Sequence, residues 1–178
     1  YLEHFPYLNR LWFGEYFNYN SEPAYWLTEM SGMPYGLMGE MLQDGGNAWR
    51  GMIYGMTARL PWAGDPTSVW KVMDAFGIKG SRMIGYWVPD CPVKTDNPAV
   101  ICTVYKKDKS ALISIASWAK DKTEVKLSIN WTALGISPDK AVLTAVEAKD
   151  FQPAATFAPD QKIPVDPAKG WLLILKEK

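Results

Sequence analysis

Two acidic side chains stand directly after short apolar segments, where they are placed to do acid/base chemistry. Glu15 follows the segment RLWFG, and Glu40 follows the segment YGLMG. Carboxyl groups held at the end of an element are common general acids and bases. The sequence therefore makes Glu15 and Glu40 candidate catalytic residues. The competing interpretation is that each carboxylate only anchors the loop that follows it.

Aromatic and polar side chains accompany these acids. Tyr16, Asn18 and Tyr19 follow Glu15, and Trp49 and Arg50 follow a Gly-Gly loop. An aromatic face beside hydrogen-bonding groups suits a ligand with one apolar face and several hydroxyls, such as a sugar. We therefore predict a substrate-binding role for these five residues and expect Tyr19 to be exposed. Packing at the end of the sheet is the alternative, and for Arg50 a structural pairing near a helix start is the alternative.

Composition excludes several other classes of site. The chain has 178 residues, a formal net charge of zero and 48% apolar residues, so neither a nucleic-acid-binding surface nor disorder is indicated. The single histidine, His4, argues against a His-rich metal site or a conventional triad. Cys91 and Cys102 lack metal-type spacing, and both a disulfide and two free thiols remain open. No cofactor and no metal site is predicted.

The elements that must position the candidate residues alternate between strand and helix in the first half. Predicted strands cover 10–15, 35–38 and 83–88, and predicted helices cover 24–30, 48–59 and 66–76. This alternation is typical of parallel βα units. Closing a (β/α)8 barrel takes ~250 residues, so residues 1–95 are expected to be the last βα units of such a barrel.

The second half has a different pattern. After a proline-punctuated linker, side chains alternate with a period of two along 100–105, 112–118 and 125–131, which polar turns separate. Later strands are predicted over 141–146 and 171–175. Such hairpins indicate an antiparallel β-sandwich over residues 96–178. The expected fold class is therefore α/β plus all-β, with barrel end and sandwich in one chain.

Four segments make this sequence recognisable: LWFGEYFNYN, PYGLMGEML, NAWRGMIYGMTARLPW and MIGYWVPDCPV. They resemble the C-terminal part of a largely uncharacterised family of bacterial glycoside-hydrolase-like proteins. The tail from Val104 to Gly135 resembles the sandwich domain that follows the barrel in many glycosidases. The resemblance implies a (β/α)8 catalytic domain and carbohydrate substrates.

The resemblance suggests what Glu15 and Glu40 would do. Glycosidases use two carboxyl groups, ~5 Å apart for retention and ~6.5–9.5 Å apart for inversion, around an oxocarbenium-like transition state. Both residues would contribute to such a site without having to be the catalytic pair itself. We expect the chain to supply part of a sugar pocket in a glycoside hydrolase and to be inactive by itself.

Two other functions stay open at this point. A non-catalytic carbohydrate-binding module would place exposed aromatic residues on the sandwich, whereas most aromatics precede the linker. A structural segment that caps and stiffens the barrel is the other possibility.

The expected partners follow from the incomplete barrel. Two βα units would leave an unpaired parallel edge, so we expect the remaining N-terminal part of the barrel or a partner chain to cover it. A carbohydrate is the expected substrate, with neither nucleic acid nor a membrane span. The family resemblance alone implies a periplasmic, secreted or cell-surface location.

Overall fold

The first part of the protein contains short helices and short parallel strands. The computed structural model describes residues 2–11, 17–42, 45–58 and 64–178. The elements of this part are the 3₁₀ helices Leu2–Tyr7 and Met33–Tyr35, strand β1 (Arg10–Leu11), helix α1 (Pro23–Tyr25) with the π-helix Trp26–Met30, strand β2 (Met38–Gly39) and helix α2 (Ala48–Ile53).

The strands of this part pair in parallel. Arg10 pairs with Met38, and a further parallel bridge joins Met41 to Ala58. A helical segment separates the paired positions in both cases. The predicted strand–helix–strand order is confirmed for the described residues, and it brings the chain segments after β1 and after β2 to the same end of the strand pair.

Helix α2 is shorter than the predicted helix over 48–59. It begins after Asn47, whose side chain accepts a hydrogen bond from the backbone N–H of Arg50. It ends at Ile53, and Gly55 then adopts a left-handed conformation with φ of 72°. Such a residue stops a helix, because the backbone no longer follows the helical path.

A six-stranded sheet dominates the second part. Its strand order is β10-β9-β12-β6-β5-β3, and every pairing in it is antiparallel. The strands are β3 (Arg82–Ile84), β5 (Val100–Lys107), β6 (Ser110–Ser117), β9 (Ala141–Ala145), β10 (Ala155–Phe157) and β12 (Gly170–Glu177). Two small antiparallel sheets pair β4 (Val93–Thr95) with β8 (Leu127–Ile129) and β7 (Thr123–Val125) with β11 (Ile163–Val165).

Apolar side chains on the two faces of the large sheet enter different clusters. Val104 and Ile113 belong to the cluster that also contains residues of the small sheets and of helix α4 (Trp131–Leu134). Leu112 and Leu172 face the other way, towards α2 and helix α3 (Thr67–Phe76). The period-two pattern of β5 and β6 predicted this division, because alternate side chains of a strand point to opposite faces.

Strand β3 differs from its predicted environment. The apolar segment around Met83 was expected to form a strand of a βα unit, but Arg82–Ile84 pairs antiparallel with β5 at the edge of the large sheet. A short apolar run predicts a strand without saying which strand will pair with it. The predicted division of the chain at residue 95 stays a prediction.

Candidate functional site

Residues 17–22, here called the loop after β1, are fixed by buried contacts. Asn18 and Asn20 form a local turn, in which the side-chain oxygen of Asn18 accepts a hydrogen bond of 2.9 Å from the backbone N–H of Asn20. Both Asn side chains are exposed, whereas Tyr19 between them is 8% exposed. The expected exposure of Tyr19 is therefore wrong, because its ring packs against Trp26 in the core. Glu15 and Tyr16, which precede this loop, lie outside the described residues.

Tyr19 also connects the two loops at this end of the strands. Its hydroxyl accepts a hydrogen bond of 3.1 Å from the backbone N–H of Leu42, which lies just beyond β2. The loop after β1 and the loop after β2 are therefore held together at the end where the candidate residues were expected to meet. A substrate-binding role for Tyr19 and Asn18 stays a prediction.

Glu40 lies directly after β2, as the sequence predicted, and it has a cationic partner. Its carboxylate accepts a hydrogen bond of 2.5 Å from Nη1 of Arg10 on β1. The Glu40 side chain is 12% exposed and the Arg10 side chain is 58% exposed. This ion pair joins the two parallel strands. It fits both an anchoring role and an acid held in place for chemistry, so the catalytic role stays a prediction.

Arg50 is buried and binds backbone oxygens. Its Nη1 donates to the carbonyl oxygen of Tyr19 at 2.6 Å and to the side-chain oxygen of Asn20 at 3.2 Å. Its Nε and Nη2 both donate to the carbonyl oxygen of Ser117, at 3.1 and 3.0 Å. The guanidinium carbon lies 4.8 Å from the centre of the Trp118 ring. Burial lowers the pKa of Arg50.

Trp49, the neighbour of Arg50, turns to a different side of the molecule. Its ring stacks on Phe151 with centres 4.8 Å apart and planes inclined by 13°. Both residues line an open cavity of about 650 Å³ between the loop before α2, the start of α3 and the loop after β9. The structure therefore separates two predicted site residues that are adjacent in sequence, since Trp49 lines this cavity and Arg50 contacts the loop after β1.

A stack of aromatic rings lies next to the start of α1. Trp26 stacks on Tyr54 with planes inclined by 12°, and Tyr54 stacks on Trp87 with planes inclined by 5°. The hydroxyl groups of Tyr54 and Tyr86 donate hydrogen bonds to the carbonyl oxygen of Pro23, at 2.8 and 3.2 Å. Burial raises the pKa of both phenols, so they stay neutral donors at ordinary pH.

Two contributors were missed from the sequence. The period-two position of Trp118 predicts a core residue, and its ring does pack against a core cluster, but the pattern gave no sign that its indole N–H donates to the carbonyl oxygen of Ser21 at 2.8 Å. Phe151 was not singled out, although an aromatic residue in a charged loop is a usable signal. Neither contact follows from local sequence, because each joins residues about 100 positions apart.

Other kinds of site find no support in the described part of the chain. No group of three or more His, Cys, Asp or Glu residues there is arranged to hold a metal ion. Among the same residues, no helix is long and apolar enough to cross a membrane. Cys91 and Cys102 are buried free thiols, and both donate to the carbonyl oxygen of Val93.

Comparison with known families gives two consecutive matches. Residues 1–61 match the model described as the glycoside hydrolase 123 TIM-barrel domain. Residues 65–176 match the model described as the glycoside hydrolase 123 C-terminal domain. No curated protein matches the chain. Since the second match alone spans more than half of the chain, this protein belongs to glycoside hydrolase family 123.

Proposed function

We propose that this chain is the C-terminal segment of a glycoside hydrolase that acts on glycans and that it contributes part of the sugar pocket. In this proposal the first part supplies the last βα units of a (β/α)8 barrel, and the second part is a β-sandwich that follows it. The consecutive matches to the barrel and C-terminal models of one hydrolase family are the observation that carries the proposal.

The pocket would lie at the carboxyl end of the parallel strands. Barrel enzymes bind substrate on this face, in the loops that follow the strands. Asn18 lies after β1 and Glu40 lies after β2, and these positions support the proposal of a pocket beside them. Glu40 would act as an acid/base or hold a sugar hydroxyl, and Glu15 is proposed beside it from its sequence position alone. Trp49 lines a separate cavity, which we propose as a second sugar-contacting surface.

Two further statements belong to the same proposal. Near the short parallel strands, three large side chains are exposed: Tyr7, Tyr35 and Met38. We propose that the remaining part of the barrel or a partner chain covers them. A periplasmic, secreted or cell-surface location is proposed from the resemblance to bacterial glycan-degrading proteins. Fractionation of the source cells tests that location.

Substitution of Glu40 tests the catalytic part of the proposal. In the longer protein that contains the complete barrel, we expect Glu40→Gln to lower kcat/KM on aryl-glycosides by at least about 100-fold, the range for loss of a general acid or base. The same assay on this segment by itself should show no hydrolysis. An inactive longer protein, tested on a broad panel of aryl-glycosides, would overturn the proposed function.

Arg10→Gln separates catalysis from anchoring at this position. This substitution also removes the ion pair with Glu40 but leaves the carboxyl group in place. If Arg10→Gln lowers kcat/KM as much as Glu40→Gln does, Glu40 acts as an anchor. Glu29→Gln is the matched control, because Glu29 is an exposed glutamate on the π-helix.

A non-catalytic binding module is less well supported than hydrolysis. Among the described residues, the large apolar side chains that are clearly exposed lie before residue 71, apart from Val146. A sugar-binding sandwich would be expected to present exposed aromatic rings on its own strands.

A further inference from the structure

Two carbonyl groups of the loop after β1 and one at the start of α1 accept hydrogen bonds from buried or half-buried side chains. The carbonyl oxygen of Tyr19 accepts from Arg50, that of Ser21 accepts from Trp118, and that of Pro23 accepts from Tyr54 and Tyr86. These four side chains therefore hold residues 19–23 in place through their carbonyl groups.

Donors from the C-terminal domain take part in this arrangement. Trp118 follows β6, and Tyr86 follows β3, so both belong to the part matched by the C-terminal family model. Arg50 links the two parts directly, because its guanidinium binds Tyr19 on one side and Ser117 at the end of β6 on the other. The C-terminal domain is therefore in contact with a loop on the proposed substrate face of the barrel.

We propose that Arg50 and Trp118 are positioning residues, and that through them the C-terminal domain sets the path of the loop at 17–22 that presents Asn18 to the sugar. This inference rests on the proposed function as far as the sugar is concerned. The anchoring of the loop rests on the contacts alone.

The chemistry of Arg50 fits positioning. Its hydrogen-bond acceptors are amide carbonyl oxygens. The positive charge of Arg50 therefore interacts with amide dipoles and with the face of the Trp118 ring. A planar guanidinium can donate in several fixed directions at once, which a lysine ammonium on a flexible stem cannot reproduce. Arg50 is 5% exposed, so little of the side chain remains for direct contact with a substrate.

The first test is hydrogen exchange in the longer protein that contains this segment. The backbone N–H of Ser21 bonds to the carbonyl oxygen of Asn18, so its exchange reports whether the turn is held. We expect Trp118→Phe and Arg50→Lys each to speed exchange in the peptide covering 17–22 by about tenfold, as expected when one hydrogen bond of about 1.4 kcal/mol is lost. Unchanged exchange in Trp118→Phe would overturn the anchor.

Kinetics on aryl-glycosides is the second test. Both variants should raise KM or lower kcat by about tenfold, measured at a temperature at which each variant is fully folded. Trp118→Phe distinguishes positioning of the loop from direct binding of substrate by Arg50. If Arg50 bound the substrate directly, that bond would remain after the loss of the Trp118 indole N–H, and the kinetics would not change. Faster exchange with wild-type kcat and KM would overturn the link to the sugar.

Matched variants separate local from general effects. Arg82→Lys and Trp70→Phe change an exposed arginine and an exposed tryptophan, and both should leave exchange and kinetics unchanged. If Arg50→Lys does not fold, Trp118→Phe decides the anchor by itself, since it removes one indole N–H that donates to Ser21. A wild-type protein without hydrolytic activity would overturn the proposed function, while the exchange result would still decide the anchor.

Discussion

Single residues near the proposed site owe their roles to contacts that are distant in sequence. Position and residue type placed Glu40 correctly after a strand, because an acid that follows an apolar run is a local pattern. The same local reasoning gave no partner for Arg50, whose acceptors come from residues 19, 20 and 117. The position of Glu40 after a strand could thus be predicted, whereas the direction of each side chain required the fold.

Gly39 provides a test at the scale of one atom. A Cβ at this position would lie 2.3 Å from the carbonyl oxygen of Met30. This oxygen belongs to the main chain, which cannot easily move to make room. We expect Gly39→Ala to lower the free energy of unfolding by about 3 kcal/mol, because a close contact of this kind overpacks the site. Urea denaturation measures the effect.

Gly80→Ala is the control for that substitution. A Cβ at Gly80 would meet no atom within 4 Å, so its effect should stay within about 0.5 kcal/mol. Equal effects of the two substitutions would contradict the close approach of β2 to the π-helix. Gly39 immediately precedes Glu40. The close contact between β2 and the π-helix therefore also fixes the backbone position from which the Glu40 side chain extends.

At the scale of elements, helix α2 depends on the sheet beneath it. It contains six residues, which is far below the ~12–15 needed for a helix to be even marginally stable alone. The large sheet supplies partners for its last carbonyl groups, since Tyr105 donates to Met52 and Thr103 donates to Ile53. Apolar periodicity predicted the existence of α2 but placed its end too late.

Thr103→Val tests this support. The substitution keeps the shape of the side chain and removes the donor, which leaves the carbonyl oxygen of Ile53 without its 2.7 Å hydrogen bond. The free energy of unfolding should fall by about 1–3 kcal/mol, the cost of an unsatisfied buried polar group. Thr156→Val on β10 is the control, because Thr156 is exposed and its hydroxyl has access to water. A loss at Thr156 as large as that at Thr103 would argue against this role of the sheet.

Strand order was the least predictable feature of the elements. The period-two pattern located β5, β6, β9 and β12, and it gave the correct faces of β5 and β6. It did not indicate that β12 lies between β9 and β6, or that β3 joins the same sheet. These pairings join distant segments, and the sequence pattern of a strand is the same whichever neighbour it has.

At the scale of the whole molecule, the parts matched by two family models share apolar clusters. One cluster combines Trp26, Met30 and Tyr54 of the first part with Ala116 of β6, and Trp118 packs against it. Another combines Met52 of α2 with Leu112 of the large sheet and Phe76 of α3. Separating the parts would expose both clusters to water, and burial of apolar area is the main favourable term in folding.

One cooperative unfolding transition is therefore expected for the two parts together. In the proposed full-length hydrolase, Leu112→Ala should lower the free energy of unfolding by about 2–5 kcal/mol, because Leu112 is fully buried between the sheet and the helices. Hydrogen exchange read separately on α2 and on β6 should then accelerate by the same factor. Acceleration confined to β6 would indicate that the two parts unfold independently, and it would contradict the proposal that the second part positions the loop at 17–22.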